Sequence, residues 1–238
     1  MTIKPTTSKD RLIVALLTDD MKEAESMVKL LKKDVHTFEV GLPTYTALGP
    51  DVVKMIHNHG CKVYLDLKYH DIPSTVHKAV VAATKLGVDG LNVHASGGEE
   101  MLKRTVAAAR EAAGSKSKMP TLFAVTVLTS MESLADIGVQ YEVREQVVRL
   151  AKLSKSCGLH GVVASPLEIA PIRKACGDKF LIMTTGVRPL GSAAQDQRRI
   201  ASPIMAIAAG ADFLVIGRPV VQAKDPRAVV QQILKEIS

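Results

Sequence analysis

Eight short apolar segments recur along the chain, and stretches with helical spacing of apolar residues lie between them. The segments are 12–17, 37–41, 62–68, 90–96, 121–127, 161–165, 180–185 and 213–218. In the stretches 21–33, 74–87, 99–114 and 144–158, apolar residues stand three and four positions apart, as in amphipathic helices. Eight strand–helix repeats predict parallel strands joined by crossover helices. In 238 residues they predict a single-domain (β/α)8 TIM barrel over 1–238, with about 1–11 as an N-terminal extension.

Composition supports this class of fold. Hydrophobic residues make up 47% of the chain and aromatic residues only 3%, so the core must be built from aliphatic side chains. Such side chains suit parallel strands that are buried on both faces. An open doubly wound sheet is the alternative, but no GxGxxG follows the first strand, which disfavours a dinucleotide site.

The net charge and the cysteine content limit which binding partners and which cellular compartment we expect. The net charge is +7, but lysine and arginine are scattered and form no basic stripe, so we expect no nucleic-acid partner. No segment is long and apolar enough to predict a membrane span or a signal peptide. The three cysteines are far apart and show no metal-ligand spacing, which favours a reduced, cytoplasmic protein.

The third predicted strand ends in a charged cluster. In "YLDLKYHDIPST", alternation directs Leu65 and Leu67 outward to the helices and Asp66 and Lys68 to the barrel mouth, with Asp71 in the next loop. Catalytic groups of such barrels lie at the C-terminal ends of strands. A solvated strand end with a surface ion pair is the simpler explanation, but it does not account for two charges on the inward face.

A second pattern lies at the ends of the last two predicted strands. These strands end "TTGVRP" and "VIGRP", which place Gly186 with Arg188 and Gly217 with Arg218. The loops after strands seven and eight are the usual phosphate site of the barrel, because glycine permits close backbone approach and arginine supplies charge. The sequence therefore predicts a phosphate-bearing, nucleotide-like ligand.

Six segments of the chain together resemble the orotidine 5′-phosphate decarboxylases of bacterial type. They are "DLKYHDIPST", "NVHASGG", "AVTVLTSM", "TGVRP", "DQRR" and "VIGRPV". The resemblance runs from about Leu12 to the C-terminal helix. It implies a homodimeric barrel without a cofactor that converts orotidine monophosphate to uridine monophosphate and CO2, as a lyase of pyrimidine biosynthesis.

The resemblance also implies roles for individual residues. Lys68 would protonate the carbanion at pyrimidine C6, Asp66 would crowd the substrate carboxylate, and Asp71 would reach into the neighbouring subunit's site. The expected substrate-binding residues are Thr75, Thr129, Ser130, Arg188, Gln197, Gly217 and Arg218. A pre-placed ammonium suits a decarboxylation that has no electron sink, because it stabilises the carbanion and then donates a proton.

The chain departs from the family pattern at the barrel mouth. Leu17 stands where the family has aspartate, and Glu39 stands where it has lysine. The other departures are Pro43, Thr44 and Thr185. The first two changes leave the site more negative by a net of about one charge, so that Glu39, Asp66 and Asp71 share Lys68 and one carboxyl is expected to hold a proton. These changes indicate a diverged or engineered site with impaired decarboxylation.

Three other interpretations stay open at this point. Glu39 and Asp66 resemble the magnesium-binding pair of 3-keto-L-gulonate 6-phosphate decarboxylases, in which case they would be metal ligands. Alternatively, Leu17 makes the wall of a rebuilt pocket apolar, and Glu39 is a general base that takes a proton from carbon, as in Kemp elimination. Finally, the chain could be an inactive paralogue that only binds a phosphate ligand.

Overall fold

The computed structural model describes residues 4–115, 118–188 and 201–238. Eight parallel strands close into a barrel in which each strand pairs with its neighbours in chain order and β8 returns to β1. The strands are β1 Leu12–Leu16, β2 Thr37–Gly41, β3 Lys62–Tyr69, β4 Gly90–His94, β5 Thr121–Val125, β6 Gly161–Ala164, β7 Leu181–Thr184 and β8 Phe213–Ile216. All eight predicted strands are confirmed, as is the single-domain (β/α)8 barrel, and the open sheet is wrong.

Helices follow the strands and cover the outside of the barrel. Those in the described residues are α1 Ser8–Arg11, α2 Met21–Leu31, α3 Leu42–Leu48, α4 Asp51–Asn58, α5 Pro73–Leu86, α6 Gly98–Ala113, α7 Val143–Ser156, α8 Ile169–Cys176, α9 Pro203–Ala208, α10 Arg218–Val221 and α11 Pro226–Glu236. The four helices predicted from periodicity are α2, α5, α6 and α7. The short helix α1 lies in the predicted N-terminal extension and begins at Ser8, after Thr7, whose side chain caps it.

Strand alternation divides the core into two layers. Outward-facing residues such as Val14, Phe38 and Leu65 pack against the helices. Inward-facing residues form a smaller interior cluster that consists of Ile13, Ala15, Tyr64, Phe123, Val125, Val163, Leu181, Met183 and Val215. This cluster fills the described interior of the barrel below its C-terminal mouth.

The predicted second strand, 37–41, has the same bounds as β2, and the chain turns into a helix directly after it. Leu42 begins α3 and is 51% exposed. The reason is local, since Pro43 fixes a backbone angle suited to the first turn of a helix.

No helix in the described part of the chain combines the length and apolar character that a bilayer span requires.

Candidate active site

A cavity of about 260 Å³ opens at the C-terminal ends of the strands. Most of the residues predicted from the sequence meet there, namely Leu17, Glu39, Asp66, Lys68, Thr129, Arg188, Gly217 and Arg218. Aliphatic side chains from the barrel interior, among them Val125, Val163 and Val215, form its floor. The cavity therefore combines charged groups at its sides with an apolar base.

Lys68 and Asp66 form an ion pair inside this cavity. The Nζ of Lys68 donates to both carboxylate oxygens of Asp66, each at 2.7 Å. The Asp66 side chain is 10% exposed and that of Lys68 is 31% exposed, so the pair is largely shielded from water. An ammonium held in this way is a fixed positive charge that can also give up a proton.

The backbone of β3 is irregular where it presents this pair. Pairing between β3 and β4 advances four residues from Leu65 to Tyr69 but only two, from Leu91 to Val93, on the partner strand. Lys68 lies in this bulge with a φ of +49°, the one positive φ among the described non-glycine residues. Bulges next to active sites re-aim side chains, and a non-glycine residue in this region carries strain.

Asn92 on β4 holds the bulge in place, a role that the sequence analysis missed. Its Oδ1 accepts a hydrogen bond from the backbone N–H of Lys68 at 2.8 Å. Its Nδ2 donates to Asp66 Oδ1 at 2.6 Å and to the hydroxyl of Tyr64 at 2.9 Å. Asn92 is almost completely buried. A polar amide in the middle of the apolar segment "GLNVH" was the available signal.

Glu39 lies in the interior of the barrel, between Ala15 on β1 and Tyr64 on β3. It is 8% exposed, and its Oε2 is buried without a hydrogen-bond partner among the described residues. Burial raises the pKa of Glu39 well above its usual range, nearby Asp66 raises it further, and Lys68 opposes the shift. This direction supports the prediction that one carboxyl in the cluster holds a proton.

Two of the residues that depart from the family pattern, Leu17 and Thr44, fit closely against neighbouring residues. Leu17 follows β1 and is 47% exposed at the cavity rim. A Cβ added to Gly217 would lie 3.0 Å from Leu17 Cδ1, so glycine leaves the room that this leucine occupies. Thr44 is fully buried and donates to the carbonyls of Leu16 and Thr18 at 3.1 and 2.9 Å. Thr44 therefore ties α3 to the end of β1.

The opposite side of the cavity carries the predicted phosphate residues. Arg188 is buried after β7, and Arg218 begins α10 directly after Gly217. Thr185, another departure from the family pattern, lines the same side. Gln197 lies outside the described residues.

Three predicted residues lie away from this cavity. Asp71 and Thr75 are exposed around the start of α5, and Ser130 is exposed in the loop after β5. Asp71 Oδ1 accepts from the backbone N–H of Ile72 at 2.6 Å. Of the three carboxylates expected to share Lys68, Asp66 forms the ion pair with it, and Glu39 lies in the same cavity. The expected contribution of Asp71 to a neighbouring subunit's site stays a prediction.

The carboxylates do not fit a magnesium site. Mg²⁺ requires oxygen ligands in near-octahedral geometry, but an ammonium contacts both oxygens of Asp66 and an amide donates to one of them. The described residues also contain no group of three or more histidine, cysteine, aspartate or glutamate side chains suited to a metal.

Comparison with known proteins agrees with this arrangement. The chain is 49% identical over 234 residues to the orotidine 5′-phosphate decarboxylase of Moorella thermoacetica, covering 97% of this chain and 93% of that protein. It is 47% identical over 232 residues to that of Trichlorobacter lovleyi, covering 97% and 96%.

A solved structure gives the same result. The crystal structure of orotidine 5′-phosphate decarboxylase from Lactobacillus acidophilus has a TM-score of 0.84 and 36% identity, and the match covers 95% of this chain and 98% of that one. The family model of the orotidine 5′-phosphate decarboxylase / HUMPS family matches residues 10–233. The chain therefore belongs to the orotidine 5′-phosphate decarboxylase / HUMPS family.

Proposed function

We propose that the protein decarboxylates orotidine 5′-phosphate to uridine 5′-phosphate and CO2, with Lys68 as the proton donor. The observation that carries the proposal is the buried Lys68–Asp66 pair, which lies in the same cavity as Arg188 and Arg218. Relatives almost half identical to this chain carry the name of this activity.

The chemistry follows from the pair. The bond between pyrimidine C6 and the carboxylate breaks, CO2 leaves, and the electron pair stays on C6. The ammonium of Lys68 stabilises this carbanion and then transfers a proton to C6, after which the amine regains a proton from water. Asp66 orients the ammonium and, next to a bound carboxylate, raises the energy of the ground state.

The far side of the cavity is suited to the phosphate. Arg188, Arg218 and the backbone at Gly217 can supply donors there. Gln197 is proposed as a further substrate-binding residue. Arginine recognises phosphate with paired donors. Binding energy from this non-reacting group can help to orient the pyrimidine against Lys68.

Glu39 and Leu17 are proposed to lower the rate without abolishing it. In the family pattern these positions supply a lysine and an aspartate near the ribose, whereas here they supply a buried carboxyl and an apolar side chain. The raised pKa of Glu39 keeps this carboxyl protonated over a wider pH range, which reduces its repulsion of the anionic substrate.

The protein is further proposed to act as a homodimer through the loop between β3 and α5. This loop carries Asp71 and Thr75, and its Ile72 is 65% exposed. Leu42, which is 51% exposed, adds apolar surface at the start of α3. A two-fold interface would bury such apolar surface while it presents Asp71 to the partner's site.

A cytoplasmic location is proposed on the basis of the thiols. Cys61, Cys157 and Cys176 are free and buried, and burial raises the pKa of each. Reduced, unreactive cysteines are usual in that compartment.

The test is turnover of orotidine 5′-phosphate with and without Mg²⁺. We expect metal-independent decarboxylation that falls by about 100-fold or more in Lys68→Ala and is unchanged in Lys78→Ala, an exposed lysine on α5. Absence of turnover in the parent chain, or equal rates for the parent and Lys68→Ala, would contradict the proposal.

A further inference from the structure

Glu39 is a buried carboxyl that the decarboxylation mechanism does not use. It lines the cavity and is 8% exposed, and its Oε2 has no hydrogen-bond partner among the described residues. Most buried polar atoms are hydrogen-bonded, and an exception at a cavity wall is a candidate for a chemical role.

Apolar side chains share the cavity with Glu39. Ala15 is its neighbour on β1, and Leu17, Val125 and Val215 line the same cavity. A planar aromatic molecule would replace water against these side chains. Such desolvation strengthens a carboxylate as a base, because the anion loses the hydrogen bonds that weaken it.

We propose that Glu39 is a general base that abstracts a proton from an activated C–H group of small aromatic molecules bound between Leu17 and the valine floor. The ligand class is a planar heteroaromatic ring that carries an acidic C–H next to a bond that can break to release an anion. This activity is separate from decarboxylation, since it needs neither a phosphate nor the proton of Lys68.

The reaction of 5-nitrobenzisoxazole defines the step. The Glu39 carboxylate takes the proton from C3, the C–H electron pair forms the third bond of a nitrile, and the N–O bond breaks to release a phenolate. Glu39 then returns the proton to water, so no oxidant or other reactant is needed. Lys68 or an arginine on the far side of the cavity can stabilise the phenolate oxygen.

The pH dependence follows from the groups that face Glu39. Strand β3 presents Tyr64, Asp66 and Lys68, while the adjacent inward position on β1 is Ala15, which does not titrate. Arg188 and Arg218 lie across the cavity. Because burial and Asp66 raise the pKa of Glu39, its basic form is expected to appear at a higher pH than for an ordinary glutamate.

The experiment measures the opening of 5-nitrobenzisoxazole by the protein across a range of pH. We expect the rate to rise with pH through one ionisation and to fall by about 100-fold or more in Glu39→Gln. Glu168→Gln is the matched control, because Glu168 is also buried but does not line the cavity. Its rate should equal that of the parent chain.

A second variant tests the assignment without removing the base. Asp66→Asn removes a negative charge beside Glu39, so the midpoint of the pH profile should move to lower pH. An unchanged rate in Glu39→Gln would assign the activity to another group and overturn the proposal. A profile that stays in place in Asp66→Asn would also overturn it. Loss of decarboxylation in Asp66→Asn affects the proposed function alone, because the benzisoxazole has no carboxylate or phosphate.

Discussion

Asn92 on β4 accepts a hydrogen bond from the backbone N–H of Lys68 on β3 at 2.8 Å, and thereby stabilises the strained conformation of that lysine. The same amide donates to Asp66 at 2.6 Å. One side chain therefore fixes both the backbone of the proton donor and the carboxylate that orients its ammonium. Asn92 is a positioning residue, since it acts through Asp66 and Lys68.

Asn92→Ala should reduce kcat for decarboxylation more than it changes KM. The reason is that the ammonium loses its fixed direction while the phosphate residues stay in place. Unpairing buried polar groups should also lower the free energy of unfolding by about 1–3 kcal/mol. Steady-state kinetics and urea denaturation measure the two effects. Asn58→Ala, at an exposed site on α4, is the control. A stability loss with unchanged kcat would assign Asn92 a purely structural role.

Glu39 should make the stability of the protein depend on pH. Its folded-state pKa is raised, so its contribution to stability is complete below the unfolded-state pKa, for which 4.5 is the ordinary value. The contribution is then lost as pH rises towards and through the folded-state pKa. The parent chain should therefore lose stability relative to Glu39→Gln as pH increases above that value. Denaturation of both proteins at several pH values measures this, and a constant difference would contradict it.

Much of the architecture could be predicted because it depends on local pattern. Buried parallel strands are continuous apolar runs, and the helices between them keep a 3.6-residue period. These two patterns were enough to predict the order of the elements and the closed barrel that the structure shows. The sequence also predicted that Lys68 and Arg218 lie in one cavity, because the C-terminal ends of all strands of a barrel lie on the same face.

The details of the site could not be predicted because they depend on contacts between strands. Simple alternation placed Asp66 and Lys68 on the inward face correctly, but their geometry depends on a bulge and a positive φ at Lys68. Asn92 was missed because its partners are 24 and 26 residues away in sequence. Likewise, Thr44 was seen as a departure, whereas its bonds to Leu16 and Thr18 appear only in three dimensions.

The proposed contribution of Asp71 to a partner's site can be tested by mixing inactive variants. Lys68→Ala and Asp71→Ala should each be nearly inactive as homodimers. After they are unfolded together and refolded, mixed dimers would hold one intact site, which should restore about a quarter of the parent activity if assembly is random. No recovery, together with mixed dimers detected by mass spectrometry, would place Asp71 outside the partner's site.

The last prediction concerns the two residues that depart most from the family pattern. Glu39→Lys combined with Leu17→Asp should increase decarboxylation of orotidine 5′-phosphate. The substitution at position 39 removes the buried carboxyl with the raised pKa. The new lysine would lie beside Asp66 and give the site a second ammonium. The aspartate would stand at the cavity rim, where it can accept hydrogen bonds from the ribose and orient the new ammonium.

These two changes should be strongly coupled. Glu39→Lys alone places an ammonium in a buried position without its second partner, and Leu17→Asp alone adds a carboxylate near Glu39. Neighbouring charges in one network couple by about 0.5–3 kcal/mol, so the double variant should exceed the product of the single effects by about 2-fold to 100-fold. Values of kcat/KM for the four proteins give this coupling directly.

Glu39→Lys with Leu30→Asp, an exposed leucine on α2, is the control for the added charge. A double variant that binds uridine monophosphate as the parent does but gains no activity would show that Pro43, Thr44 or Thr185 limits the reaction instead.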